Sequence, residues 1–176
     1  LSASSYGGRG GSITSGKGLS LPKVDKFIKI SNPYSPYLQI DKRGNEIYYR
    51  TLAKKDYNYL LVTGKIPATS ETFVSPSAAY SKQYDGVLVR FYVKPGTTSS
   101  LQEIGVVGNK ATQILFPNMN RVNKGWTGNN QILYKIEAKN NPAINNGYGV
   151  VNTGLGKTDG LKIFNNNIVK FEKVKK

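Results

Sequence analysis

Residues 47–80 read IYYRTLAKKDYNYLLVTGKIPATSETFVSPSAAY, and the rest of the chain is organised around this stretch. A β-prone run, Ile47-Tyr48-Tyr49, delivers Arg50. Ala53, Tyr57, Leu60 and Leu61 then recur at i, i+4, i+7 and i+8, the period of an amphipathic helix. Gly64 ends that helix, because glycine enters the left-handed backbone region without a Cβ penalty. A second β-prone run, Glu71 to Val74, leads into Ser75-Pro76, which reads as an N-cap and first helical position. Ser75 is therefore expected where a strand hands over to a helix. An arginine at one strand end and a hydroxyl at another can converge on one ligand.

Downstream, Val87 to Val93 alternates strictly, with Val87, Val89, Phe91 and Val93 on one face and Leu88, Arg90 and Tyr92 on the other, the signature of a strand. Gln113 to Phe116 reads as a further short strand. Gln131 to Glu137 reads as another, with Ile132, Tyr134 and Ile136 on one face and Gln131, Leu133, Lys135 and Glu137 on the other. Ile168 to Val174 reads as the last strand, its alternation imperfect. Between these, Asn118 to Asn130 is rich in Asn and Gly around Trp126 and reads as a long exposed loop, its tryptophan either stacking on a base or anchoring the loop. Upstream, Arg43-Gly44-Asn45 reads as a tight turn, and Asn32 to Tyr37 as a turn-rich lead-in. Leu1 to Lys23 has the Gly/Ser composition of a flexible linker, which leaves residues 24–176 as one domain, expected to be the C-terminal end of a longer protein. Several short strands with two short helices make the fold class α+β.

Composition narrows the chemistry. The 176 residues carry 25 Lys and Arg against 10 Asp and Glu, a formal charge of +15 that favours an anionic partner such as nucleic acid, a membrane surface or an acidic protein. There is no cysteine and no histidine, which removes disulfide scaffolding, thiol nucleophiles, imidazole acid–base catalysis and most zinc sites. Catalysis must then run on carboxylates, on Lys and Arg, or on hydroxyls. No run approaches the roughly 18 apolar residues of a membrane span. Gly154-Leu155-Gly156-Lys157-Thr158 invites a phosphate-loop reading, but Val151 stands where that motif needs its first glycine, so the segment reads as a turn or a loop presenting Lys157.

The order of these residues resembles a known family. The strand with Arg50, the helix ending at Gly64, Thr72-Phe73-Val74-Ser75-Pro76, Ala79-Tyr80 and the strand Val87–Val93 resemble the mono-ADP-ribosyltransferase toxins of the Arg-Ser-Glu class. With its linker and positive charge, the chain looks like the C-terminal toxin domain of a bacterial polymorphic toxin. The resemblance implies mostly antiparallel, split β-sheets with a few short helices. It implies NAD as co-substrate with no metal, and a secreted monomer that acts in the cytoplasm of a target cell. Arg50 would hold NAD phosphate or ribose, Ser75 would support the nicotinamide ribose and the cleft, and Tyr48 and Tyr49 would stack on nicotinamide or adenine or else be core. The family's Glu-x-Glu or Gln-x-Glu is missing here. Glu137, which shares a face with Gln131, is the preferred catalytic carboxylate, and Glu103 is second. Each residue also has a plain structural explanation: Arg50 paired with Asp56, Ser75 as a cap, and Glu137 paired with Lys135 or Lys139.

Two other classes fit the composition. A metal-independent ribonuclease similar to the barnase/colicin group would use Lys135, Lys157, Tyr134 or Tyr148. A non-enzymatic basic module would bind an anionic surface through charge and tyrosines. A toxin of either kind implies a cognate immunity protein, expected to be acidic, and RNA is the foremost target of the transferase.

Overall fold

The alternation of Val87–Val93 finds its partner in the stretch that carries Arg50. A computed structural model describes residues 28–29 and 38–176 of the chain. The expected linker 1–23 and the lead-in at Asn32 to Tyr37 lie outside the described residues. The strands are β1 (Ile28–Lys29), β2 (Gln39–Ile40), β3 (Glu46–Leu52), β4 (Phe73–Val74), β5 (Val87–Val93), β6 (Gly105–Val107), β7 (Asn120–Arg121), β8 (Ile132–Glu137), β9 (Val150–Gly154) and β10 (Ile168–Lys173). The helices are α1 (Lys54–Thr63), α2 (Ala78–Ser81), α3 (Thr97–Gln102), α4 (Lys110–Leu115) and α5 (Asp159–Asn166).

These strands form two five-stranded sheets. The first runs β10-β5-β3-β2-β1 and is antiparallel throughout. The second runs β4-β9-β8-β6-β7, antiparallel from β4 to β8 and parallel from β8 to β7. One antiparallel bridge joins them: Tyr49 N–H donates to the Ser75 carbonyl over 2.7 Å, and Ser75 N–H returns to Tyr49 over 2.9 Å. The fold is thus α+β with split sheets and short helices. Among the described residues no helix is long and apolar enough to cross a membrane.

The first sheet is covered on both faces. Tyr48, Leu52, Val89, Phe91 and Val93 face the main core, where Phe164 of α5 meets Tyr48 and Phe91 edge-on at ring-centroid distances of 5.7 and 5.9 Å. On the opposite face Ile47, Tyr49, Leu88 and Tyr92 form a second buried cluster. There Arg90 pairs with Glu172 at 2.9 Å, and Tyr92 donates to the same carboxylate oxygen. The turn at Arg43-Gly44-Asn45 forms as expected, with Gly44 at φ 83° and Asp41 Oδ1 accepting from the N–H groups of Arg43 and Asn45.

Several local expectations are corrected. Gln113 to Leu115 belong to helix α4, with Phe116 as its C-cap, because Asn109 caps the helix start by accepting from Thr112 N–H, and Ile114 is left 80% exposed with no sheet face to meet. Ser75 is not the cap of α2. That role falls to Ser77, whose hydroxyl accepts from Tyr80 N–H, while Ser75 stays in the inter-sheet bridge. The segment Asn118 to Asn130 is largely exposed, as expected, and of the two roles open to its tryptophan the structure shows the anchoring one: Trp126 is 8% exposed and packs edge-on against Phe73. Strand β9 went unread because Asn152 and Thr153 interrupt its apolar pattern, although all five of its residues are buried. The imperfect alternation of the last strand has a cause, a register shift between Ile168 and Lys170 that turns Val169 outward.

Candidate functional site

Where the sheets part beside the Tyr49–Ser75 bridge, a cavity of about 440 Å³ opens. Arg50, Ser75 and Glu137 all line it, with Thr69, Glu71, Phe73, Tyr80, Tyr84, Asp85 and Lys135 among their neighbours. The three come from distinct places: Arg50 from β3, Ser75 just after β4, and Glu137 from the end of β8.

Strand alternation puts Arg50 on the same face of β3 as the core residues Tyr48 and Leu52. Its guanidinium is held at both ends, donating through Nη1 to the Phe73 carbonyl at 2.6 Å and through Nη2 to Thr69 Oγ1 at 3.1 Å. Nε is buried and has no partner among the described residues. Burial lowers the Arg50 pKa and the charge of Asp56 partly opposes this, but no Arg50–Asp56 ion pair forms among the described residues. The Arg50 anchor is itself a built turn. Thr69 and Thr72 exchange hydrogen bonds between N–H and Oγ1, and Thr72 adopts φ 54°, a left-handed conformation that a β-branched residue holds only under strain.

Ser75 is 2% exposed, and its hydroxyl oxygen accepts from Ser77 N–H at 3.1 Å. Glu137 receives two hydrogen bonds on Oε1, from Tyr80 Oη at 3.1 Å and from Asn152 Nδ2 at 2.9 Å. Neither Lys135 nor Lys139 forms an ion pair with it among the described residues. Tyr80 has one proton and gives it to Glu137, so in its 2.8 Å contact with Tyr84 the donor is Tyr84. Burial first, then these hydroxyl and carboxylate neighbours, push the Tyr80 phenol well above its ordinary value.

Other residues singled out from sequence lie elsewhere. Tyr48 and Tyr49 do not line the cavity: β3 is a central strand, and their rings fill the two opposite faces of its sheet. Tyr48 Oη contacts Thr98 Oγ1 at 2.6 Å, and Tyr49 Oη accepts from Arg90 Nε at 3.2 Å. The tyrosines of the cavity are Tyr80 and Tyr84 instead. Their spacing of four in the sequence was the available signal. Asn152, fully buried, had none. Glu103 is exposed at the end of α3, away from the cavity lining. Of the residues a ribonuclease would use, Lys135 lines the cavity, Tyr134 is buried against Phe116, Tyr148 is 77% exposed and Lys157 sits on a separate loop.

The glycine loop has a strand before it and a helix after it, β9 and α5. Its amides are nonetheless taken: Leu155, Gly156 and Lys157 N–H donate to the carbonyls of Thr72, Glu71 and Thr127. A phosphate cradle needs those donors free. The loop instead ties α5 to the turn that anchors Arg50. Among the described residues no group of three or more metal-binding side chains is placed to hold an ion.

A search of curated proteins finds no match. The family model for the PT3 toxin domain matches residues 44–173, from just before β3 to the end of β10, and so takes in every residue lining the cavity. With well over half of its length matched, the chain belongs to the PT3 toxin domain family.

Proposed function

We propose that this toxin domain is an NAD-dependent mono-ADP-ribosyltransferase that modifies a target in the cytoplasm of a recipient cell, with RNA as the foremost target. The observation that supports it is the meeting of Arg50, Ser75 and Glu137 around one cavity. The volume lies within the range of small-ligand sites. NAD, when bound, supplies the ADP-ribosyl group and carries nicotinamide as the leaving group.

Each residue has a physical task in this reading. Arg50 is fixed by Phe73 and Thr69, and its orphan buried Nε suits an anionic oxygen of the ligand. Ser75 accepts from Ser77, which leaves its own proton to donate to a sugar oxygen. Glu137 stands ready to stabilise the positive charge that develops on the ribose as the glycosidic bond breaks. Preorganised electrostatic groups of this kind are worth about a hundred- to a thousandfold in rate. Lys135, two residues before Glu137 on the same strand face, adds positive charge for the ligand's phosphates or for an RNA backbone. The formal charge of +15 favours an acidic immunity protein that covers the cleft of the monomer.

The test is incubation of the purified domain with bacterial lysate and labelled NAD, followed by separation of protein from RNA. Label on RNA is the expected result, and label on protein would keep the chemistry but change the target. Intact NAD with cleaved RNA would overturn the transferase in favour of a ribonuclease. Intact NAD and intact RNA would leave a non-catalytic basic module.

A further inference from the structure

We infer that Tyr80 and Asn152 are positioning residues that hold the Glu137 carboxylate by one oxygen and present the other to the ligand, an assignment that rests on the transferase reading above. Both hydrogen bonds fall on Oε1, and no donor among the described residues bonds Oε2. The donors come from different directions. Asn152 lies on β9, opposite Lys135 in the register and one step diagonal from Glu137, whereas Tyr80 reaches in from α2. One donor would let the carboxylate rotate about its bond to the chain. Two donors from separate elements fix its plane.

Asn152 shows that this hold is maintained against a penalty. It is fully buried, and its Oδ1 has no hydrogen-bond partner among the described residues, which is unfavourable in a protein interior. Its neighbours Val150 and Val151 are apolar, and a valine at 152 would fill the strand without an orphan oxygen. What the asparagine adds is the Nδ2 donor on Glu137.

Tyr80 is placed by a chain of bonds that begins at Ser75. Ser77 N–H donates to Ser75 Oγ, and Tyr80 N–H donates to Ser77 Oγ, each at 3.1 Å. The bridge that joins the two sheets therefore also sets the start of α2, and through α2 the hydroxyl that meets Glu137. Tyr84, at 53% exposure, donates to Tyr80 and completes the alignment from the cavity rim.

The experiment is nicotinamide release from NAD by the wild-type domain, Tyr80→Phe and Asn152→Asp, each also made in a Glu137→Gln background. Asn152→Asp keeps size and shape and sets a second carboxyl group against Glu137; the two share a proton, so the amide donor is lost and Glu137 no longer offers its full charge. In the Glu137 background, kcat is expected to fall about ten- to a hundredfold in each variant, as for loss of a hydrogen bond to a charged group, with KM within about twofold. On Glu137→Gln, neither change should lower the rate further, because both act through Glu137. Tyr80→Phe removes a single oxygen and carries the test if Asn152→Asp does not fold. A Tyr80→Phe kcat within about twofold of wild type, or a loss that adds fully to that of Glu137→Gln, overturns the assignment. A wild-type domain that leaves NAD intact overturns the transferase reading, and the assignment with it, before any variant is made.

Discussion

Gly149→Ala tests the geometry around Glu137 most directly. Gly149 holds φ 81° immediately before β9, and a Cβ built there lies 2.6 Å from the Glu137 carbonyl oxygen and 3.2 Å from Lys139 N. Alanine in the left-handed region costs about 1–2 kcal/mol. Contact with two backbone atoms cannot be relieved by a rotamer change, and forcing the strands apart adds roughly 1–3 kcal/mol. Gly125 is the internal control, since it has φ 82° but no described residue within 4 Å of its Cβ position, so Gly125→Ala meets the conformational term alone. At about 2–4 °C per kcal/mol for a chain of this size, Gly125→Ala should lower Tm by about 2–8 °C and Gly149→Ala by roughly 4–20 °C. The collision also displaces the end of β8, and a shift on the order of 1 Å at a reacting group is worth about a hundredfold in rate. Thermal melts followed by circular dichroism give the first quantity and nicotinamide release the second. Equal losses of Tm in the two variants would refute the close approach of Gly149 to Glu137.

Three further outcomes are expected. Phe164→Ala should destabilise the domain by about 3–5 kcal/mol in urea titration, because Phe164 is fully buried between Tyr48 and Phe91; a change under about 1 kcal/mol would contradict that packing. Arg50→Lys cannot keep both the Phe73 and Thr69 contacts, so kcat/KM for NAD should drop about ten- to a hundredfold alongside a stability loss of about 1–3 kcal/mol from the acceptor left unpaired, and an unaltered kcat/KM would remove Arg50 from the site. Stability should also fall at alkaline pH. Burial raises the folded-state pKa of Tyr80, Tyr92 and Tyr134 above the ordinary 10.0, so below that value both states are neutral and the stability is intact. Above it the unfolded chain ionises first, and stability is lost as pH rises toward the folded values. A Tm that stays flat a full unit above the ordinary value would contradict the burial of these phenols.

Local rules were legible wherever a single element sufficed. The helix α1 forms where its period and Gly64 predicted it, and Gly64 closes it at φ 73° with its N–H on Leu60, but the expected apolar face is narrower: Leu60 is buried, Tyr57 is partly buried, and Ala53 and Leu61 are exposed. Strict alternation predicted β5 residue for residue, and the Asp41–Asn45 turn followed from its glycine. The misses share a cause. Gln113–Phe116 has strand-like composition, but Asn109 caps a helix there, and a cap outweighs the weak preference of four residues. Strand β9 carries Asn152, bonded to Glu137 beside the cavity, and Thr153, and these two polar residues erased the apolar pattern that would have revealed the strand.

The sequence by itself determined the chemistry available and the local elements. Lacking cysteine and histidine, the chain leaves carboxylates, cations and hydroxyls as its reactive groups, and short-range patterns set the strands β3, β4, β5, β8 and β10 and the helix α1. Tertiary structure decided which of those groups meet. Arg50 and Ser75 are brought together by one bridge between two sheets, and Glu137 reaches them only through the pairing of β8 with β9 and of β9 with β4. Tyr48 and Tyr49 were consumed by a sheet buried on both faces, while Tyr80, given no site role by its sequence, and Asn152 came to bond the carboxylate. Such contacts join residues 15 to 57 positions apart, and their geometry depends on the packing of whole sheets rather than on any local preference.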